Sequence, residues 1–228
     1  MVSIGSPRLR LRGAVLGVAL SCSLSACAIT PGKVVLNAHP TQAALAGGAG
    51  REVVVFPAAD SRSDAARCGV KRNAYGLETA NVRCEPEPSV WLVELVLRGL
   101  HKAGFRPVTL LTAKTPDPLR LRLDLQHLFL DADPGFSTVT VTADVHVVVG
   151  ADTASGLAAE RSFFVQVEQS TAFLTNGAYQ DPMDEATNDL VRRIVEAVVD
   201  LADRYPAVGT ARGATTDAAP SGSTGDAS

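Results

Sequence analysis

Leu119, Arg120, Leu121, Arg122, Leu123, Asp124, Leu125 and Gln126 alternate apolar with polar at every step. Side chains along a strand point to opposite faces with a period of two. The four leucines therefore share one face, and the charged and amide groups share the other. A strand that is dry on one side and wet on the other belongs to an antiparallel sheet with one covered face. Residues 138–149 repeat the pattern, with Val139, Val141, Ala143, Val145 and Val147 inward and Thr138, Thr140, Thr142, Asp144 and His146 outward. Residues 161–167 place Phe163, Val165 and Val167 on one face. Asp131, Asp133, Pro134 and Gly135 read as the first turn, and 152–156 as the second. These segments make a three-stranded meander.

Two helices flank it. Over 90–103, Leu92, Leu95, Val96, Gly99, Leu100 and Ala103 recur at helical spacing and form one apolar stripe. Ser89 can cap the first turn, and Gly104 stands where a C′ glycine ends a helix. The second helix is expected to open at Asp181 and Pro182, since proline at the first position loses no hydrogen bond. Met183, Ala186, Leu190, Ile194, Ala197, Val198 and Leu201 form its stripe, and Pro206 stops it. Val53, Val54 and Val55 read as a buried strand ended by Pro57. The order β-α-β-β-β-α predicts an α+β fold, a largely antiparallel sheet of about four strands with both helices on one face.

Leu24, Ser25, Ala26 and Cys27 close a short apolar run that follows Arg8, Arg10 and Arg12. Basic residues, an apolar stretch, small residues and then cysteine are the order of a secretory signal ending in a lipobox. The run 13–26 is shorter than the roughly 20 residues that cross a bilayer. Cys22 is the poorer acceptor, because Leu20 stands close before it where small residues are wanted. The alternative is an ordinary secretory signal with Cys27 incidental. The lipobox reading makes residues 1–26 a signal peptide, and 27–48 the lipidated cysteine and a tether in which 33–36 can pair as a short strand. A single α+β domain then spans 49–206. Residues 207–228, poor in large apolar groups, form a disordered tail. Acyl chains such as palmitate on Cys27 would anchor the protein to the membrane. Ala28 follows the cysteine, where an aspartate commonly retains lipoproteins at the inner membrane. The expected location is therefore the periplasmic face of the outer membrane.

Composition narrows the function. Hydrophobic residues at 46% and charged residues at 20% describe a globular chain. The net charge is −3, and the signal holds three basic residues and no acidic ones, so the exported part is more acidic still. With no basic stripe, no nucleic-acid partner is expected. Cys68 and Cys84 remain after lipidation, and outside the cytoplasm they read as a disulfide closing a loop of about 16 residues. The alternative is two free thiols. His39, His101, His127 and His146 show no ligand spacing, so no metal and no cofactor are expected.

The chain shows no catalytic set. Ser89 serves as a cap, His127 and His146 fall on or near wet strand faces, and Asp131 and Asp133 suit a turn. Glu185 and Asp189 suit a solvated helix face. No enzyme activity is expected. The segment 60–88 reads as a long irregular loop, and such loops carry recognition when a scaffold holds them. Lys71, Arg72, Asn73, Tyr75 and Glu78 supply charge, amide and aromatic contacts there, the candidate partner-binding set. The alternative is that they only decorate a disulfide-tied excursion.

The lipobox, the strand 53–55 followed by Asp60, Ser61 and Arg62, the stretch from Gly69 through Lys71, Arg72, Asn73, Tyr75 and Gly76 to Ala80, and the helix running into Ala103, Gly104 and Phe105 resemble the YajG-like family of bacterial envelope lipoproteins. The resemblance covers roughly 27–205 and implies a periplasm-facing lipoprotein without known enzyme activity. The cysteine pair and the long tail depart from that pattern. The element order also resembles accessory lipoproteins of envelope lipid transporters and of cell-wall synthases, at the level of fold. The expected function is a membrane-anchored, non-catalytic accessory or binding subunit with an envelope protein partner. The alternative is a lipid-binding or lipid-shuttling module that holds an acyl chain between helices and sheet.

Overall fold

A computed structural model describes residues 31–38, 46–156, 158–172 and 175–205. The signal, Cys27 and the tail lie outside the described residues. The chain forms β1 (Gly32–Val35), β2 (Glu52–Val55), β3 (Ala59–Asp60), β4 (Gly69–Arg72) and β5 (Glu78–Glu85). Helix α1 (Pro88–Lys102) follows, then β6 (Arg106–Pro107), β7 (Leu119–Pro134), β8 (Val139–Asp152), β9 (Ala158–Thr171) and helix α2 (Asn176–Arg204).

The alternating stretch lies in β7, and β7 organises the sheet. Its whole length pairs antiparallel with β8, which pairs antiparallel with β9, so the expected meander is present. Its other edge is taken in turn by β2, β3 and β4, all parallel to it. The chain from 52 to 72 thus runs once along β7 in three short pieces. Pro57, which has no N–H to give, stands between the first two, as expected. Beyond these, β6 pairs parallel with β2, β5 antiparallel with β4, and β1 parallel with β5. The described residues form an open, mixed sheet of nine strands. The expectation of about four largely antiparallel strands was too small and too uniform. The short parallel strands carry too few residues to show a period of two.

Other boundaries moved for local reasons. Asp131–Pro134 is not a turn but the end of β7. A bulge between Leu125 and His127 shifts the alternation by one residue, so Leu128, Leu130 and Ala132 still face inward. The turn comes later, where the Gly135 N–H donates to the Thr138 carbonyl. Helix α1 begins at Pro88 after Glu87, and Ser89 donates its hydroxyl to Glu87 rather than capping the helix. Helix α2 begins at Asn176, with Thr175 as cap, and carries Pro182 inside it. Tyr179 and Met183 are fully buried one turn apart. That extra apolar contact continues the stripe upstream and outweighs the hydrogen bond that proline forfeits. Gly104 has φ +86, as the C′ position requires. The core also reaches upstream of 49, since Val34, Leu36 and Ala38 are part of it.

Both helices lie on the leucine and valine face. Trp91 is fully buried and donates its indole N–H to the Asn37 carbonyl at 3.1 Å. The helices cross closely at Gly99, where a Cβ would come 2.6 Å from Val191. Glu52 is a buried carboxylate at the start of β2, between β7 and β6. It accepts the Lys114 N–H (2.8 Å), the Thr115 N–H (2.8 Å) and the Thr115 hydroxyl (2.6 Å), and it pairs with Arg106. Burial alone would raise its pKa. The Thr115 bonds, the Lys114 N–H and Arg106 outweigh burial and hold it down at about 2, against an ordinary 4.5.

Two outcomes are expected in urea unfolding. A Cβ at Gly69 would meet the Leu130 carbonyl oxygen at 2.1 Å, and backbone cannot swing aside. Gly69→Ala is therefore expected to cost about 1–3 kcal/mol or more, the range for overpacking. The folded state binds the Glu52 proton more weakly than the unfolded chain does. Its contribution is full above pH 4.5 and is lost as the pH falls toward about 2. Glu52→Gln should cost about 1.5–3 kcal/mol at neutral pH and flatten that acid slope.

Candidate functional site

The segment expected as an irregular loop is the β4–β5 hairpin with its approach. Asn73 makes the turn: its Oδ1 accepts the N–H groups of Tyr75 and Leu77, both at 3.0 Å. Gly76 completes the turn at φ +76. Arg72 donates to both oxygens of Asp131, at 2.8 and 3.1 Å, and to the Gly76 carbonyl. Glu78 pairs with Arg67 at 3.1 Å and reaches Arg72 at 3.7 Å. Lys71 is buried on the helix side of the sheet, its stem against Gly32 of β1. Four of the five candidate binding residues are thus engaged in building the hairpin. Tyr75 is the one whose side chain is free, 88% exposed, and Leu77 beside it is 64% exposed.

Cys68 and Cys84 are joined, with Cα atoms 5.7 Å apart. The bond ties the strand leading into β4 to the end of β5. The Cys68 N–H donates to the Val82 carbonyl and its own carbonyl accepts from Leu130, so the bridge sits within the sheet. Arg62 lies buried beside Cys68. It donates to both Asp60 oxygens at 2.8 Å and to the Ala65 and Arg67 carbonyls. The Arg62 bond, opposed by burial and helped by its charge, holds the Asp60 carboxyl below its ordinary range.

On a second surface, the sheet face that the described helices leave open, the alternation predicts a polar outer side that stays wet or meets a partner; what sequence reasoning missed is an aromatic row on it. Register brings His127 of β7, His146 of β8 and Phe164 of β9 into one row, with Phe129 beside His127. The His127 and Phe129 rings are 6.0 Å apart, and His146 meets Phe164 edge-on at 6.4 Å. The Arg67 guanidinium lies 5.7 Å above Phe129. Phe164 is 54% exposed. Next to the row is a depression of about 640 Å³, lined by Phe56, Ser61, Arg122, Asp124, Val148 and Glu160, with Gly150 on its floor. Asp124 Oδ1 and Asp144 Oδ1 are buried in this face without a donor among the described residues. Burial pushes the Asp144 carboxyl up, partly opposed by His127. Part of the signal was present in the sequence: Val148 and Phe164 stand where the alternation calls for polar residues, whereas Phe129 is in phase with the leucines until the bulge turns it outward.

His146 Nε2 lies 2.6 Å from the Ser162 hydroxyl, as a base lies from a nucleophile. The same ring meets Phe164 edge-on, so the pair belongs to the aromatic row. No cluster of three or more metal-ligating side chains occurs among the described residues. No described helix is long and apolar enough to cross a membrane. Between α2 and strands β8 and β9, beside Ile194 and Val198, lies a space of about 30 Å³.

No family model matches the chain, and no curated protein matches it. Solved structures do. A Xanthomonas campestris protein of the DUF330 family superposes with a TM-score of 0.54 at 14% identity, over 78% of this chain and 98% of that one. Lipoprotein GNA1162 from Neisseria meningitidis gives 0.32 at 9% identity, over 68% and 99%. A putative neuraminyllactose-binding hemagglutinin homolog from Helicobacter pylori gives 0.31 at 10%, over 72% and 92%. With the Xanthomonas protein this chain shares a fold, and that likeness carries no function.

The bridge is open to a direct test. Cys68→Ser with Cys84→Ser should lower unfolding stability by about 3 kcal/mol, the chain-entropy value for a loop of this length. Dithiothreitol should shift the wild-type urea midpoint downward and leave the double variant unmoved.

Proposed function

We propose that this protein is a lipid-anchored, non-catalytic binding subunit of the bacterial envelope. It is held by acyl chains on Cys27 at the periplasmic face of the outer membrane, and it engages an envelope protein through the open face of its sheet. The observation that carries the reading is the row of Phe129, His127, His146 and Phe164 on a sheet face that no described helix covers. Exposed aromatic groups on a rigid sheet are the type of residue that dominates protein interfaces. The neighbouring depression, with Asp124 Oδ1 as an acceptor that has no donor among the described residues, suits a partner segment that brings N–H donors. The lipobox and the disulfide agree with an oxidising compartment outside the cytoplasm.

The acyl-shuttling alternative has less support. It needs a long apolar cavity enclosed between helices and sheet; the space beside Ile194 holds about one water, and the larger apolar hollow of about 430 Å³ beside Val55, Ala58, Val90, Val93 and Leu97 is open to solvent rather than enclosed.

The test is crosslinking and affinity capture of the full-length protein from intact membranes, with Cys27→Ser and the pair Phe129→Ala, Phe164→Ala as variants. The aromatic pair is expected to lower recovery of the captured partner about tenfold or more, while the fold is retained. Recovery equal to wild type from that pair would defeat the reading.

A further inference from the structure

The two hairpins point the same way. β4 runs parallel to β7, so the β4–β5 turn carrying Tyr75 and Leu77 and the β7–β8 turn carrying Phe136 project from one end of the sheet. All three side chains are largely exposed, and Phe136 is fully so. Both turns are held from within, one by Asn73 and the disulfide, the other by the Gly135–Thr138 bond. Arg72 and Asp131 just beneath are paired with each other.

The chain enters from this same end. β1 is parallel to β5 and runs away from the turns, and Gly32 lies level with Val82, Gly69 and Leu130. From that level to the tips is about four residues of strand plus the turn, about 13–17 Å at ~3.3 Å per residue. Cys27 is five residues before Gly32, and five residues span at most about 18 Å. That reach matches the height of the tips, so on the anchor reading a leaflet that takes acyl chains at Cys27 lies within reach of them.

Resting on the anchor reading above, we infer that Tyr75, Leu77 and Phe136 dock this end of the domain into the membrane interface. The lipid surface is thus a second ligand, separate from the partner face. Aromatic and leucine side chains on stiff turns suit the boundary between headgroups and acyl chains. The contact is apolar, because Arg72 and Asp131 beneath the tips are paired with each other and the exposed charge beside them, Asp133, is acidic. It should not require anionic lipid.

The test uses full-length lipidated protein reconstituted into phosphatidylcholine vesicles that contain acyl-brominated phosphatidylcholine. Phe136→Trp and Tyr75→Trp report the tips. Leu111→Trp, equally exposed but just ahead of the opposite end of β7, is the control, and buried Trp91 is the common background. Bromolipid is expected to quench the tip tryptophans about twofold or more and to leave Leu111→Trp unchanged, with no effect of added phosphatidylglycerol or high salt. Unquenched tip tryptophans in protein that still floats with the vesicles would overturn the docking and leave the anchor standing. Salt-labile quenching would overturn the apolar contact. Protein that neither floats nor carries acyl mass on Cys27 would remove the anchor, and the docking with it.

Discussion

A strand of sixteen residues in the middle of a sheet must satisfy its backbone groups along both edges, and everything else here follows from how β7 does so. One edge is met by a single partner of similar length, which a tight turn supplies. The other edge is met piecemeal by three short parallel segments in succession. Parallel neighbours need long connections. That requirement places the hairpin, the disulfide and α1 between β2 and β7. The inward leucines of β7 then give both helices a common floor.

Much of this was legible because it repeats. The alternation of 119–126 and 138–149 named the meander and its dry face. The stripes of Leu92, Leu95 and Leu100 and of Leu190, Ile194 and Val198 named the helices. What escaped was whatever a period cannot show. β3 and β4, of two and four residues, are too short to alternate, and β5 has one well-buried residue, Val82, among mixed neighbours. The bulge at Gln126 and His127 reverses parity, so the end of β7 read as a turn. Pro182 read as a helix start because burial of Tyr179 depends on a tertiary contact.

The candidate site divides along the same line. Charged residues close together in sequence suggested recognition, yet Arg72, Glu78 and Lys71 found partners or burial within the hairpin. The residues that do face outward are aromatic: Tyr75 at a tip, Phe129 and Phe164 on the open face. Phe129 and Phe164 come from distant parts of the chain, and register brings them onto one face. Val148 and Phe164, apolar residues out of phase with their strands, are the trace of that outward face in the sequence.

The parallel pairing of β1 with β5 has a mechanical side. A pull on the chain ahead of Pro31 arrives along the axis of β1 and away from the domain. It therefore loads the hydrogen bonds to β5, and the one from Leu36 to Glu85, together in shear rather than opening them one after another. The Cys68–Cys84 bond passes that load on to the strand beside β7. An edge strand of four residues is thus placed to hold the domain against drag at its N-terminal end, and the strain is delivered to the sheet's longest member.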